Sequence, residues 1–284
     1  MANQRSANPA AIIAQLNQQL RLRQFELPTL PEMPLKVRRL VEDPNASLNQ
    51  LVRLMSADPV LTARLILRAN SALYGNLPPV RTLQGAVERL GFIPTRNLVI
   101  SLTMSRIYQI RGSELVRQKL AQLWRVSTQV AALCQVFAKH TPHLDHSEAL
   151  LTGLLHNIGA LPIVMTYARQ DEELSARDLD RLIEPLYPEL GGFILREWNM
   201  PEVIADAAER HCLYMRTHDG PADYLDVVII AGLHTYRGTN HPLGRLTSWV
   251  DVPAFNKLNL SPDDSIEATR LAYKEISAIQ QMLR

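Results

Sequence analysis

The sequence predicts an all-α protein, and three observations carry that expectation. Apolar residues recur at helical spacing through most of the chain, and strand-like alternation is nearly absent. Helix start signals, with Ser, Thr or Asp ahead of Pro or of an acid or amide three residues on, precede one segment after another. The composition is 46% hydrophobic, 20% charged and only 6% aromatic over 284 residues, enough to bury one large core or two smaller ones.

Taken in order, residues 9–24 read as an amphipathic helix with Ile12, Ile13, Leu16 and Leu20 on one stripe. Pro31 suits a first helical turn, Leu35, Val37, Leu40 and Val41 continue it, and Pro44 ends it. Ser47 and Gln50 make a capping box. Asp58-Pro59 starts a helix whose stop is expected at Gly75. Thr82 caps a short helix ending at Gly91, and a longer one is expected from about Pro94 to Ile110. Gly112-Ser113 is the expected boundary between two subdomains. A long helix follows to about His140, with Leu115, Leu120, Leu123, Trp124, Val130, Leu133, Val136 and Phe137 as its buried stripes. Ser147 is the expected cap of the next helix, which carries His156 and Asn157 and closes at Gly159. Ser175 with Asp178, then Pro188, then Pro201, open three more. "ADYLDVVIIAGLHTYRG" is long enough and polar enough at its ends for a buried helix rather than a strand. Ser261 and Asp264 begin a terminal helix expected to run to Arg284, with Ile266, Leu271, Ile276, Ile279 and Leu283 at apolar spacing.

The opening "MANQRSANPA" lacks the basic head and apolar body of a secretory signal, and the apolar runs are too short or too interrupted to span a bilayer. A cytoplasmic protein without membrane insertion is expected. Cys134 and Cys212 lie far apart and read as free thiols. Cys212 is either a ligand beside His211 or a small buried residue, and burial is the plainer reading. The net charge of +2 points away from nucleic acid. Residues 1–115 carry 14 Lys and Arg against 7 Asp and Glu, a balance of +7, and residues 116–284 carry 16 against 21, a balance of −5. Mutual attraction of two subdomains, or solvated arginine faces, is the plainer reading, and an anionic partner on the first part is the sharper one.

Leu30-Pro31, Asp58-Pro59, Thr62, Arg64, the Ala69-Asn70-Ser71 run with Tyr74, and Leu90-Gly91 recur in an order that closely resembles the HDOD domain. The likeness continues through Leu123–Ser127, "GLLHNIGALPI" and "ERHC", from about residue 25 to about 240. It implies two packed helical subdomains, 25–112 and 113–240, the second a degenerate relative of the HD phosphohydrolases. Residues 1–24 and 241–284 are then extensions. It also implies bacterial signalling rather than turnover.

An active HD site holds divalent metal with His and Asp, lowering the pKa of bound water and clamping a phosphate. By the resemblance, its first histidine falls at Val126 and its doublet at His156-Asn157. A further histidine falls at about Tyr187, the late one at His211, and the closing aspartate at Gly232. Ala160 stands where a lysine often follows. Valine and glycine offer no ligand, and an amide is a poor substitute for carboxylate. No metal, cofactor or catalytic role is therefore expected, and His156, Asn157 and His211 should bond to one another or to trapped water. The run His140, His143, Asp145, His146 and Glu148 reads as a polar loop rather than a metal site, and His234 and His241 lie nearby in sequence. Arg64, Asn70, Ser71 and Tyr74 form a candidate contact surface, although Asn70 and Ser71 serve equally well to satisfy backbone where a helix ends. The expected function is a non-catalytic signalling module acting on an unidentified signalling protein. The alternatives are a regulator that binds a cyclic dinucleotide or other small anion, and a residual metal-dependent phosphohydrolase.

Overall fold

A computed structural model describes residue 18 and residues 28–71, 77–109, 112–168 and 175–283. The expected helix over 9–24, Gly75 and Tyr74 fall outside the described residues. Among the described residues every regular element is a helix. The chain forms two compact units, Thr29–Ile107 with Ala278–Arg284, and Tyr108–Ser277.

The first unit contains α1 (Glu32–Glu42), α2 (Leu48–Met55), α3 (Pro59–Ala69), α4 (Leu83–Leu90) and α5 (Phe92–Thr103). Its starts follow the caps. Ser47 and Gln50 form a full capping box, Asp58 accepts from the Leu61 amide, and Thr82 from the Gly85 amide. Gly91 joins α4 to α5 at φ 85°, a left-handed angle that favours glycine. α5 is buried without a break from Asn97 to Thr103, and α1 packs against it with Val37 buried.

Two expectations are corrected here. α3 stops at Ala69, well before Gly75, because the Asn70 side chain leaves the helix to clamp a distant strand of chain. Its Nδ2 donates to Val80 O at 2.8 Å and its Oδ1 accepts from Val80 N at 2.9 Å. α5 starts at Phe92 and gives way at Met104 to a tight 3₁₀ turn that runs to Tyr108.

The second unit contains α6 (Glu114–Phe137), α7 (His146–Leu155), α8 (Ala160–Ala168), α9 (Ala176–Ile183), α10 (Tyr187–Glu197), α11 (Glu202–Arg210), α12 (Tyr224–Tyr236), α13 (Pro253–Lys257) and α14 (Pro262–Leu271). α6 lies along α7, and α12 packs against α6, α7, α11 and α13 as the central rod. The α6–α7 contact is close because Gly153 faces Ala131. A Cβ at Gly153 would stand 2.9 Å from the Ala131 Cα. The apolar run 146–168 is long enough to cross a membrane, and 89% of its 18-residue apolar window is buried inside the fold.

Here too the structure corrects the reading. The cap of α7 is Asp145, not Ser147. Its carboxylate accepts from the amides of Ser147 at 2.9 Å and Glu148 at 2.8 Å. Asp145→Ala is expected to cost about 1–2 kcal/mol, more than Ser147→Ala, when urea midpoints are compared; equal losses would return the cap to Ser147. The terminal helix is two: α14 breaks at Ala272 and α15 spans Tyr273–Leu283. Its expected stripe divides accordingly. Ile276, Ile279 and Leu283 are buried, whereas Ile266 and Leu271 are exposed.

Candidate functional site

His156 and Asn157 are not within a helix. They stand on the turn between α7 and α8, where His156 is the C-cap of α7 and keeps helical angles. Both are buried. A helix C-terminus leaves carbonyls without partners, and imidazole can supply a donor. His156 Nδ1–H donates to Gly153 O, three residues back, at 2.7 Å. A carbonyl only accepts, so Nε2 carries the free lone pair, and it accepts from the Tyr236 hydroxyl at 2.8 Å. Burial, reinforced by the neighbouring His211, holds His156 well below the usual imidazole range and keeps it neutral.

His211 repeats this geometry at the end of α11. Its Nδ1–H donates to Ala208 O, again three back, at 2.9 Å. Its Nε2 accepts from the Tyr187 hydroxyl at 2.6 Å. Tyr187 in turn accepts from His241 Nε2–H at 2.6 Å. The His241 tautomer is fixed because its Nδ1 accepts from the Leu243 amide at 3.2 Å, capping a short 3₁₀ turn. A single directed chain therefore runs from the Leu243 amide through His241, Tyr187 and His211 to the Ala208 carbonyl. His241 also stacks on Tyr236 at 3.6 Å between ring centroids, which seats the second phenol.

Asn157 is satisfied as an amide. Its Oδ1 accepts from Ser127 Oγ–H at 2.7 Å and faces the Tyr108 hydroxyl at 3.5 Å. Its Nδ2 donates to Leu123 O at 3.3 Å. The other predicted positions gather around this network. Val126 and Ala160 line an adjoining cavity of about 610 Å³, with Tyr187, Tyr236 and His241 on its wall. Gly232 lies on α12 one turn before Tyr236, and Leu243 occupies the space in front of it. A Cβ there would meet Leu243 Cδ1 at 2.6 Å. The rings of His156 and His211 meet edge to face, with centroids 5.1 Å apart, and their Nε2 atoms bond to phenols rather than to each other.

Cys212 sits beside this network, partly exposed. Its Sγ is 3.3 Å from the Tyr187 hydroxyl and 3.9 Å from His241 Nε2.

The remaining candidates lie elsewhere. His143 bonds Ala222 O, Asp145 caps α7, and Glu148 accepts from the Tyr224 hydroxyl, so the histidine-rich loop ties down the start of α12. His234 bonds Ser265 on α14. Among the described residues, two groups are close enough to share a metal ion: His211 with Cys212 and His241, and His218 with Asp223 and Asp226. The second already holds a cation, since Arg216 pairs with both aspartates. In the first unit, Asn70 serves the backbone of Val80, and Arg64 is half-buried on α3. The Ser71 amide donates to Arg68 O. In the sequence Ser127 stands out only as the end of the Leu123–Ser127 motif, Tyr236 and Tyr108 not at all, and His241 without a role. Beyond that motif, only the His-Pro pair at 241–242, a cap signal, marked any of them in advance.

An all-helical unit with a His-Asn doublet on an interhelical turn, its imidazole meeting a late histidine edge to face, has an HD-like fold. The HDOD domain model matches residues 27–213, and the chain belongs to that family. A crystal structure described as a candidate metal-dependent phosphohydrolase from Shewanella amazonensis SB2B is 27% identical. It matches over 96% of this chain and 99% of that one, with a TM-score of 0.80. An HDOD domain protein of unknown function from Geobacter sulfurreducens is 22% identical over 94% of this chain and 98% of its own, with a TM-score of 0.64. A candidate signal transduction protein from Marinobacter aquaeolei VT8 is 24% identical over 99% of this chain and 67% of its own, with a TM-score of 0.62. Below 25% identity, these last two speak to the fold alone. An uncharacterized Treponema pallidum protein is 26% identical over 197 residues, 66% of this chain, and the match spans 37% of that protein's length.

Proposed function

We propose that the chain is a non-catalytic signalling module that works through contact with another protein. One observation carries this reading: in the doublet the His156 Nε2 lone pair accepts from a phenol, and Asn157 beside it is held as an amide. Tyr236 donates to His156 Nε2 and Tyr187 to His211 Nε2, so phenols stand where metal would bind. The donor set agrees. Asn157 gives its amide to Ser127 and Leu123, Val126 brings no ligand atom, and Leu243 fills the space before Gly232. An HD-type metal does not fit these residues.

Support for a protein contact comes from α3. Val60 and Leu67 are 61% and 72% exposed on its outer face, seven residues apart and thus on one side of the helix. The test is hydrolysis of bis-p-nitrophenyl phosphate and of nucleotides with added Mn²⁺, Mg²⁺ or Zn²⁺. Release at the protein-free rate is expected. Protein-dependent turnover that disappears in His156→Ala would overturn the reading.

A further inference from the structure

We propose that His211, Cys212 and His241 form a site for a soft divalent metal such as zinc, closed in this structure by the Tyr187 hydroxyl. The site shares one imidazole with the HD-type positions but takes its thiolate and second imidazole from outside them. It needs neither His156 nor Asn157, so it stands apart from the proposed loss of hydrolysis.

The geometry carries it. The Nε2 atoms of His211 and His241 and the Cys212 Sγ all lie within 4.8 Å of one another. One point is common to them: the Tyr187 oxygen is 2.6 Å from each Nε2 and 3.3 Å from Sγ. Zinc binds imidazole nitrogen at about 2.0–2.1 Å and thiolate sulfur at about 2.3 Å. The three ligands need to close by about half an ångström to one ångström around the place the phenol oxygen now holds. Two imidazoles and a thiolate are a ligand set that selects zinc-like metals over magnesium or calcium. His211 is already oriented as metal-binding histidines are, with Nδ1–H on a backbone carbonyl and Nε2 aimed inward.

Opening the site requires Tyr187 to leave, and the structure gives it somewhere to go. Tyr187 and His241 both line the cavity of about 610 Å³. Loading also takes the proton from the Cys212 thiol and moves the His241 proton from Nε2 to Nδ1. That transfer gives up the bond to the Leu243 amide, which is long at 3.2 Å and lies at the start of a surface turn. The metal is thus in competition with a phenol and a cap.

The test is cobalt titration of the untagged, metal-stripped full chain, read by the near-ultraviolet charge-transfer band of a thiolate–Co²⁺ bond. Only two cysteines are present, and Cys134 is fully buried, so the band has one expected source. The wild type is expected to show it at about one equivalent. Cys212→Ser should abolish it and Cys134→Ala should keep it. Tyr187→Phe removes the competing hydroxyl and should tighten binding about tenfold. Zinc should bleach the band by displacement. No band in either the wild type or Tyr187→Phe would overturn the site, as would a band that survives Cys212→Ser. Circular dichroism of each variant separates lost ligation from lost folding, and the hydrolysis assay is read independently.

Discussion

Gly159→Ala is expected to destabilise the protein by at least about 3 kcal/mol, or to prevent folding of the second unit. The residue lies on the turn directly after the His156-Asn157 doublet. A Cβ built there would sit 2.0 Å from the Tyr187 carbonyl oxygen and 2.4 Å from the Gly191 amide nitrogen. Both are backbone atoms of α10, so no side chain can swing aside to relieve the clash. The need is for space and not for a left-handed backbone, since the glycines with positive φ are Gly91, Gly220 and Gly238. To admit a methyl group, α10 must retreat from the turn and take Tyr187 with it. That would draw the phenol away from His211 and His241. Gly191→Ala is the matched control. Its Cβ would meet nothing closer than 3.4 Å, and it gains helix propensity, so it should be neutral or slightly stabilising. Urea unfolding of the three proteins measures this. A Gly159→Ala variant within about 1 kcal/mol of the wild type would mean that the turn yields more easily than its contacts imply.

Asn157→Asp, the change that would restore an HD doublet, is expected to cost about 2–4 kcal/mol near neutral pH and to give no enzyme. The amide nitrogen donates to the Leu123 carbonyl, and a carboxylate would instead set one oxygen against another in a buried site. Burial and the lost donor raise the folded-state pKa of such an aspartate above its unfolded value of about 3.9. The sign follows from proton binding. Below the unfolded pKa the acid is protonated in both states, and its hydroxyl can still donate to Leu123. As pH rises toward and through the raised folded pKa, the unfolded chain releases its proton first, and stability is lost. The gap between wild type and variant should therefore widen from about pH 4.5 to about pH 8. Chemical denaturation at the two values tests it, and a gap that stays level or narrows would sink the account.

Much of the fold was legible because helix signals are local. The Ser47–Gln50 box, Asp58-Pro59, Thr82, Gly91 and Ser175 each act within one turn, and each stands where it was expected. Where a cap competed with a neighbour the reading slipped. Asp145 and Ser147 are both good caps, and which one takes the free amides depends on how the chain enters α7. The end of α3 was out of reach for another reason: it rests on a bond from Asn70 to Val80, ten residues away across a segment without helical period.

For the site, the amino-acid sequence alone determined which ligand types are missing. Valine at 126 and glycine at 232 bring no side-chain ligand atom, and asparagine at 157 brings an amide rather than a carboxylate. It also determined the family, through motifs whose order survives without any contact being known. Only the tertiary structure decided what the imidazoles bond to. Tyr236 reaches His156 across 80 residues, and His241 reaches Tyr187 across 54. Hydroxyl and imidazole must come within about 3 Å and in line to bond, and that precision follows from how α10, α11 and α12 pack. The spacing of those residues along the chain carries no trace of it.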